Sequence, residues 1–262
     1  MPKFAANLAM LFTEVAFLER FGAAARAGFK GVEYVGPYDY PAAQIAELLH
    51  QHGLSQVLFN LPLGNWAAGE RGIGCHPGRA GEFQDGVGKA IAYAKVLGNG
   101  QINCLAGILP EGVAPESAEE TLIANLRFAA GELRKAGLLL IAEPINRFDI
   151  PGFFLCGSSQ AMAIFDKVQS DNLKLQYDIY HMQRMEGDLA PTIERLMPRI
   201  AHFQMAGAPH RSEPDQGEIN YPYLLALIDR LGYTGWIGAE YRPVGKTADG
   251  LGWLTRPGFA HD

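Results

Sequence analysis

The chain has 262 residues, 48% of them hydrophobic, and a formal net charge of −6. That length suits one barrel-sized domain, and the apolar share is enough for a large core, which argues against a disordered chain. The acidic balance, without a run of five like charges, argues against a nucleic-acid or anionic-membrane partner.

The opening stretch MPKFAANLAMLFTEVAFLERF carries Glu14 and Glu19 and no long apolar core, so neither a secretory signal nor a membrane span is expected. Within it, 4–7 reads as a first strand and 14–27 as an amphipathic helix closed by Gly28. A second strand follows at 31–35, then a helix at 41–52 with Pro at its start and Gly53 beyond its end. The third strand, 55–60, leads into the long connection LPLGNWAAGERGIGCHPGRA, which carries Trp66, Glu70, Arg71, His76 and Arg79. A helix at 81–97, a strand at 101–105, a helix at 117–135 and a strand at 138–143 come next. The connection PINRFDIPGFFLCG holds Asn146, Arg147 and Asp149, and a helix at 158–168 follows it. The remaining strands are expected at 173–178, 200–205 and 236–240, and the remaining helices at 189–196, 221–231 and 247–254. A Gly/Pro-rich stretch, 206–220, carries His210, Arg211, Glu213, Asp215 and Glu218.

Eight nearly continuous apolar strands alternating with helices predict an α/β fold, a (β/α)₈ TIM barrel, as a single domain over 1–262. A doubly wound sheet would place a Gly-rich phosphate loop after its first strand, and Asn7-Leu8-Ala9-Met10 has none. Cys75, Cys104 and Cys156 are odd in number and widely spaced, which predicts ordinary core residues and a reducing, cytoplasmic setting.

The C-terminal ends of all barrel strands meet at one mouth, where barrel enzymes do their chemistry. Glu143, Asp178 and Glu240 each close a predicted strand, and Gln204 lies within another. Singly, such residues are often helix caps or solvated rim charges. Together, on four consecutive strands, three carboxylates would repel one another unless a cation neutralised them, so they predict a hard divalent-metal site. Glu33 sits within the second strand with its role open. His181, one helical turn past Asp178, reads as a cap or as a donor to substrate. His202 points to the same side as Gln204 but deeper, as a buried support. Arg71, Arg147 and Arg211 lie in long loops; a substrate carboxylate would require at least one of them. The apolar cluster Phe148, Ile150, Phe153 and Phe154 suits a lid or a homo-oligomer contact.

The runs FAANLAMLFTE, LPLGNWAAGERGIGCHPGR, EPINRFDIPGF, QYDIYHMQRMEG and GEINYPYL resemble the hydroxypyruvate isomerase family, within the xylose-isomerase-like barrels. The resemblance implies metal ligands at Glu143, Asp178, Gln204 and Glu240, with Glu143 and Glu240 as proton donor and acceptor. It implies substrate contacts from Asp149 and His181, and a bound Mg²⁺, with Mn²⁺ as the alternative. The implied reaction interconverts hydroxypyruvate and 2-hydroxy-3-oxopropanoate through an enediolate. Ketose 3-epimerases share the Glu143-x-x-Asn146-Arg147-Phe148-Asp149 pattern, but usually carry Glu where this chain has Asp149 and His where it has Gln204. A 2-oxo-tetronate isomerase or a ketose 3-epimerase is therefore the nearest alternative. A sugar-acid sensor without catalysis is disfavoured by the intact pair of glutamates. A DNA-repair endonuclease on the same barrel would need a His-rich zinc cluster and a basic face, and this acidic chain has 7 His.

Overall fold

The computed structural model describes residues 3–259, so both ends of the expected 1–262 domain lie outside the described residues. Eight parallel strands form one sheet in the order β3-β2-β1-β8-β7-β6-β5-β4. They are β1 (Lys3–Asn7), β2 (Gly31–Glu33), β3 (Ser55–Leu58), β4 (Gln101–Cys104), β5 (Leu139–Ala142), β6 (Leu173–Asp178), β7 (Ile200–Met205) and β8 (Trp236–Ala239). The sheet closes between β3 and β4, where Asn60 and Asn103 form a parallel bridge and Leu61 N donates to Asn103 O at 2.8 Å. The fold is the expected (β/α)₈ barrel.

The helices are α1 (Phe17–Arg26), α2 (Ala42–His52), α3 (Ala80–Leu97), α4 (Pro115–Lys135), α5 (Ser158–Val168), α6 (Ile179–Met185), α7 (Leu189–Leu196) and α8 (Tyr221–Arg230). Gly53 and Gly98 end α2 and α3 in the left-handed conformation, as their sequence positions predict. Strands β2 and β3 end two residues earlier than expected, at Glu33 and Leu58, and three helix expectations change. Residues 14–16 precede α1 because Ala16, extended at φ −62 and ψ 151, is the N-cap, and the Glu19 carboxylate accepts from its backbone N–H at 3.1 Å. Residues 247–255 form a 3₁₀ stretch instead of an α-helix. Helix α6, too short to show a period, was not expected; Asp178 caps it, its Oδ1 accepting from Tyr180 N (2.8 Å) and His181 N (3.2 Å).

The outward strand faces and the helices share one large apolar cluster, while Ala5, Val57, Leu58 and Ile141 form a smaller one. Above it the barrel interior is polar: Asn7, Glu33, Asn103, Gln176, His202 and Gln204 are all buried. Buried polar groups persist only when bonded to one another. No helix among the described residues is long and apolar enough to cross a membrane.

Candidate active site

Two-residue periodicity puts Gln176 with Asp178, and His202 with Gln204, on the inner face of neighbouring strands. The register pairs Gln176 with His202 and Asp178 with Gln204. Glu143 and Glu240 each stand one residue beyond their strand, at the mouth. The carboxylates of Glu143, Asp178 and Glu240 and the imidazole of His181 offer four atoms within 4.8 Å of one another. Glu143, Asp178 and His181 are buried and Glu240 nearly so.

Burial first, then repulsion from Glu240 and Asp178, raises the Glu143 carboxyl well above the usual carboxylate range. Burial also raises Asp178 to about 6 and Glu240 to about 7, with Arg211 opposing both. His181 is driven the other way by burial and by Arg211 and Arg184, so its ring is neutral at pH 7. Its Nδ1 lies 2.6 Å from Asn146 Nδ2, an amide donor. Nδ1 therefore accepts and Nε2 carries the proton, facing Asp178 Oδ2 at 3.5 Å and Glu143 Oε1 at 3.8 Å.

A second set of contacts sets the carboxylates in place. Glu33 Oε1 accepts from Asn7 Nδ2 (3.0 Å) and Gln204 Nε2 (2.6 Å), and Glu33 Oε2 lies 2.7 Å from His202 Nε2. The other Asn7 amide hydrogen goes to Glu240 Oε1 at 3.0 Å. Asn103 Nδ2 donates to Glu143 Oε2 (3.2 Å) and to Asn60 Oδ1 (3.0 Å). Glu33 fits because position 238 on β8 is glycine; a Cβ there would stand 2.2 Å from Glu33 Oε1. Asn7, Asn60 and Asn103 escape a search for acids and histidines. Their strand-end or in-strand positions were the available signal, by the same rule that picks out Glu143.

The other expected residues separate. Gln204 lines the cavity, but its amide is engaged by Glu33 and by Gln176, whose Nε2 donates to Gln204 Oε1 at 2.6 Å. Arg211, expected in a long loop as a candidate for the substrate carboxylate, is buried. Its Nη2 reaches Glu240 Oε2 at 2.6 Å and Asp178 Oδ2 at 3.8 Å, and its Nη1 reaches Asp149 Oδ2 at 3.6 Å. A tight turn puts it there: Gly207 and Ser212 exchange both backbone hydrogen bonds, and Arg211 takes φ 55. That left-handed backbone costs about 1–2 kcal/mol, offset by the three carboxylates. Asp149 also accepts from Tyr180 Oη at 3.2 Å. Arg71 lines the cavity wall; Arg147 is exposed and does not. Of the apolar cluster, Phe153 is buried and Phe148 is 61% exposed.

The arrangement fits a bound cation. Asp178 Oδ2 is buried without a hydrogen-bond partner, with Arg211 Nη2 at 3.8 Å and His181 Nε2 at 3.5 Å near but not bonded to it, so a lone pair is left for an incoming cation. Oxygen donors of this kind suit hard divalent ions.

Residues 21–256 match the family described as xylose isomerase-like TIM barrel. The chain is 53% identical over 254 residues to hydroxypyruvate isomerase of Escherichia coli (strain K12), spanning 97% of this chain and 98% of that protein. It is 48% identical to 2-oxo-tetronate isomerase of Cupriavidus necator, again over 97% of this chain and 98% of that one. It superposes on the crystal structure of AP endonuclease, family 2, from Brucella melitensis with a TM-score of 0.95 at 47% identity, covering 97% and 98% of the two chains. By its fold, its strand-end residues and these likenesses, the chain belongs to the hydroxypyruvate isomerase family of xylose isomerase-like TIM barrels.

Proposed function

We propose that this isomerase interconverts hydroxypyruvate and 2-hydroxy-3-oxopropanoate by metal-assisted proton transfer between adjacent carbons. The observation that carries the reading is the pair Glu143 and Glu240, two raised-pKa carboxyls facing one cavity from β5 and β8. One takes the proton from C3 of hydroxypyruvate, and the electrons of that C–H bond flow towards the C2 carbonyl to give the enediolate. The other returns a proton to C2, while the hydroxyl proton passes from the C3 oxygen to the C2 oxygen. A group whose pKa lies near the working pH serves best for such transfers, and Glu240 at about 7 meets that condition. The neutral His181, its Nε2–H held outward by Asn146, donates to a substrate oxygen. Tyr180 and Arg211 hold Asp149 where it accepts from a substrate hydroxyl.

Glu143, Asp178, Glu240 and the free lone pair of the Gln204 carbonyl oxygen are the proposed ligands, for Mg²⁺ or Mn²⁺. Bound there, a divalent cation would polarise the carbonyl and offset the charge of the enediolate. The raised carboxyls must lose protons to receive it. Metal uptake should therefore release protons, and affinity should rise with pH through the window of about 6 to about 7 set by Asp178 and Glu240. Calorimetric titration in buffers of different ionisation enthalpy measures this; uptake without proton release would count against these ligands.

The test of the function is a panel of hydroxypyruvate, 2-oxo-tetronate and neutral ketoses, each with Mg²⁺, Mn²⁺ or chelator, plus an abasic DNA duplex. Hydroxypyruvate should be turned over fastest, and chelator should abolish turnover. The duplex should be neither bound nor cut at low salt, since the chain carries net charge −6 and its one candidate cluster among the described residues has a single His. Faster turnover of 2-oxo-tetronate or of a ketose would reassign the substrate, and salt-sensitive DNA binding would favour the nuclease reading.

A further inference from the structure

The cavity at the barrel mouth is lined by Glu33, Glu143 and Glu240 and by two arginines, Arg71 and Arg211. A 2-oxo acid must bring one more negative charge into this space. Arg211 has none to spare: one guanidinium already faces Glu240, Asp178 and Asp149. Arg71 differs. No carboxylate among the described residues pairs with it, and its hydrogen bonds are both made by Nη1, to the backbone oxygens of Glu70 (2.7 Å) and Trp66 (3.2 Å). Nε and Nη2 have no protein acceptor among the described residues. These two nitrogens form one edge of the guanidinium fork, the geometry that binds a carboxylate through both oxygens.

Arg71 is also braced. Its guanidinium carbon lies 3.9 Å from the centroid of the Trp66 ring. The loop beneath it is tied by Glu70, which accepts from Asn65 N and pairs with Arg79; Arg79 Nε also donates to Glu82 at 2.7 Å. Gly72 lets this loop lie against the segment that follows β4: at φ 109 its missing Cβ would stand 2.5 Å from Leu105 O. Trp66 is itself 46% exposed, so the stack braces the guanidinium without burying it; a flat cation kept on an aromatic face loses less freedom on binding than an unbraced side chain. The loop follows β3, three to four strands around the barrel from β6, β7 and β8. It therefore stands across the mouth from Asp178 and Glu240, and two strands from β5, after which Glu143 follows.

We infer that Arg71, stacked on Trp66, receives the substrate carboxylate and so selects 2-oxo acids over neutral ketoses. The substrate is thereby oriented with its reacting carbons towards Glu143 and Glu240 and its carboxylate towards the β3 loop. The inference rests on the proposed oxo-acid substrate. Arg147, exposed and outside the cavity, has no part in it.

The test compares wild type, Arg71→Met and Arg71→Lys as metal-loaded enzymes. Hydroxypyruvate is the acid, and dihydroxyacetone is the neutral probe, with CH₂OH where the acid has its carboxylate. Arg71→Met should raise KM for hydroxypyruvate about tenfold to hundredfold, with kcat within about threefold and inhibition by dihydroxyacetone within about twofold. Arg71→Lys, which keeps charge but loses the fork, should fall between. Calorimetric binding of pyruvate should weaken in parallel, and this arm is independent of turnover. If wild type does not turn over hydroxypyruvate, the proposed function fails while pyruvate binding still decides Arg71. An unchanged KM and pyruvate affinity in Arg71→Met, or an equal loss for dihydroxyacetone, would overturn the assignment.

Discussion

Replacing Glu143 or Glu240 by Gln is expected to lower kcat by about 10²–10⁴-fold with the fold retained, the usual cost of losing a general acid or base. Glutamine keeps the size, and one oxygen that can still bind a metal, but it cannot exchange the proton. The folded state should tolerate both changes, because each carboxyl is buried and repelled by its neighbours as an anion. Glu143→Gln keeps an acceptor for Asn103, while Glu240→Gln keeps one oxygen for the two donors that now use separate oxygens, so either the Asn7 or the Arg211 contact is lost. Metal content must be measured in each variant, since a lost ligand would imitate a lost base. A second readout separates the two: exchange of substrate C–H with solvent deuterium should fall with kcat when the base is lost. If either variant keeps its metal and near-normal kcat, that glutamate only supports the site. If both do, the base must be sought at His181 or Asp149.

Glu33→Leu is expected to destabilise the protein by about 3–5 kcal/mol, because it strands three buried donors at about 1–3 kcal/mol each. Leucine fills the space between β1, β7 and β8 but accepts nothing. It leaves an Asn7 amide hydrogen, His202 Nε2 and Gln204 Nε2, all buried, without their protein acceptor. Freed Asn7 and Gln204 would also lose their aim towards Glu240 and the proposed metal, so kcat should fall in whatever fraction still folds. Glu33→Gln, which retains one oxygen acceptor, should cost less on both counts. Urea unfolding of the three proteins measures the difference. A Glu33→Leu variant as stable as wild type would show that the contacts around Glu33 are not worth their burial.

Local signals in the sequence were enough for the barrel. Each strand is a short apolar run, several helices carry their own stops, such as Gly53 and Gly98, and eight alternations close only one common way. The same locality explains why Glu143, Asp178 and Glu240 stand out: a strand end is a position along the chain, and the barrel sends every such end to one mouth. Gln176 with Asp178, and His202 with Gln204, share a face because side chains alternate along a strand, so even their inward direction is readable. Helix α6 was not, because seven residues hold too little periodicity and its cap, Asp178, reads equally well as a strand end. What only the tertiary structure decided is how these residues meet. Glu33 becomes a shared acceptor through contacts 26 to 171 residues away in sequence, and through a glycine on β8 that makes room for it. The three loop arginines look alike in sequence, yet one is buried among carboxylates, one is stacked on a tryptophan at the cavity wall and one faces solvent. A loop side chain takes its direction from turns and partners far along the chain, such as the Gly207–Ser212 turn behind Arg211, and no local period encodes them.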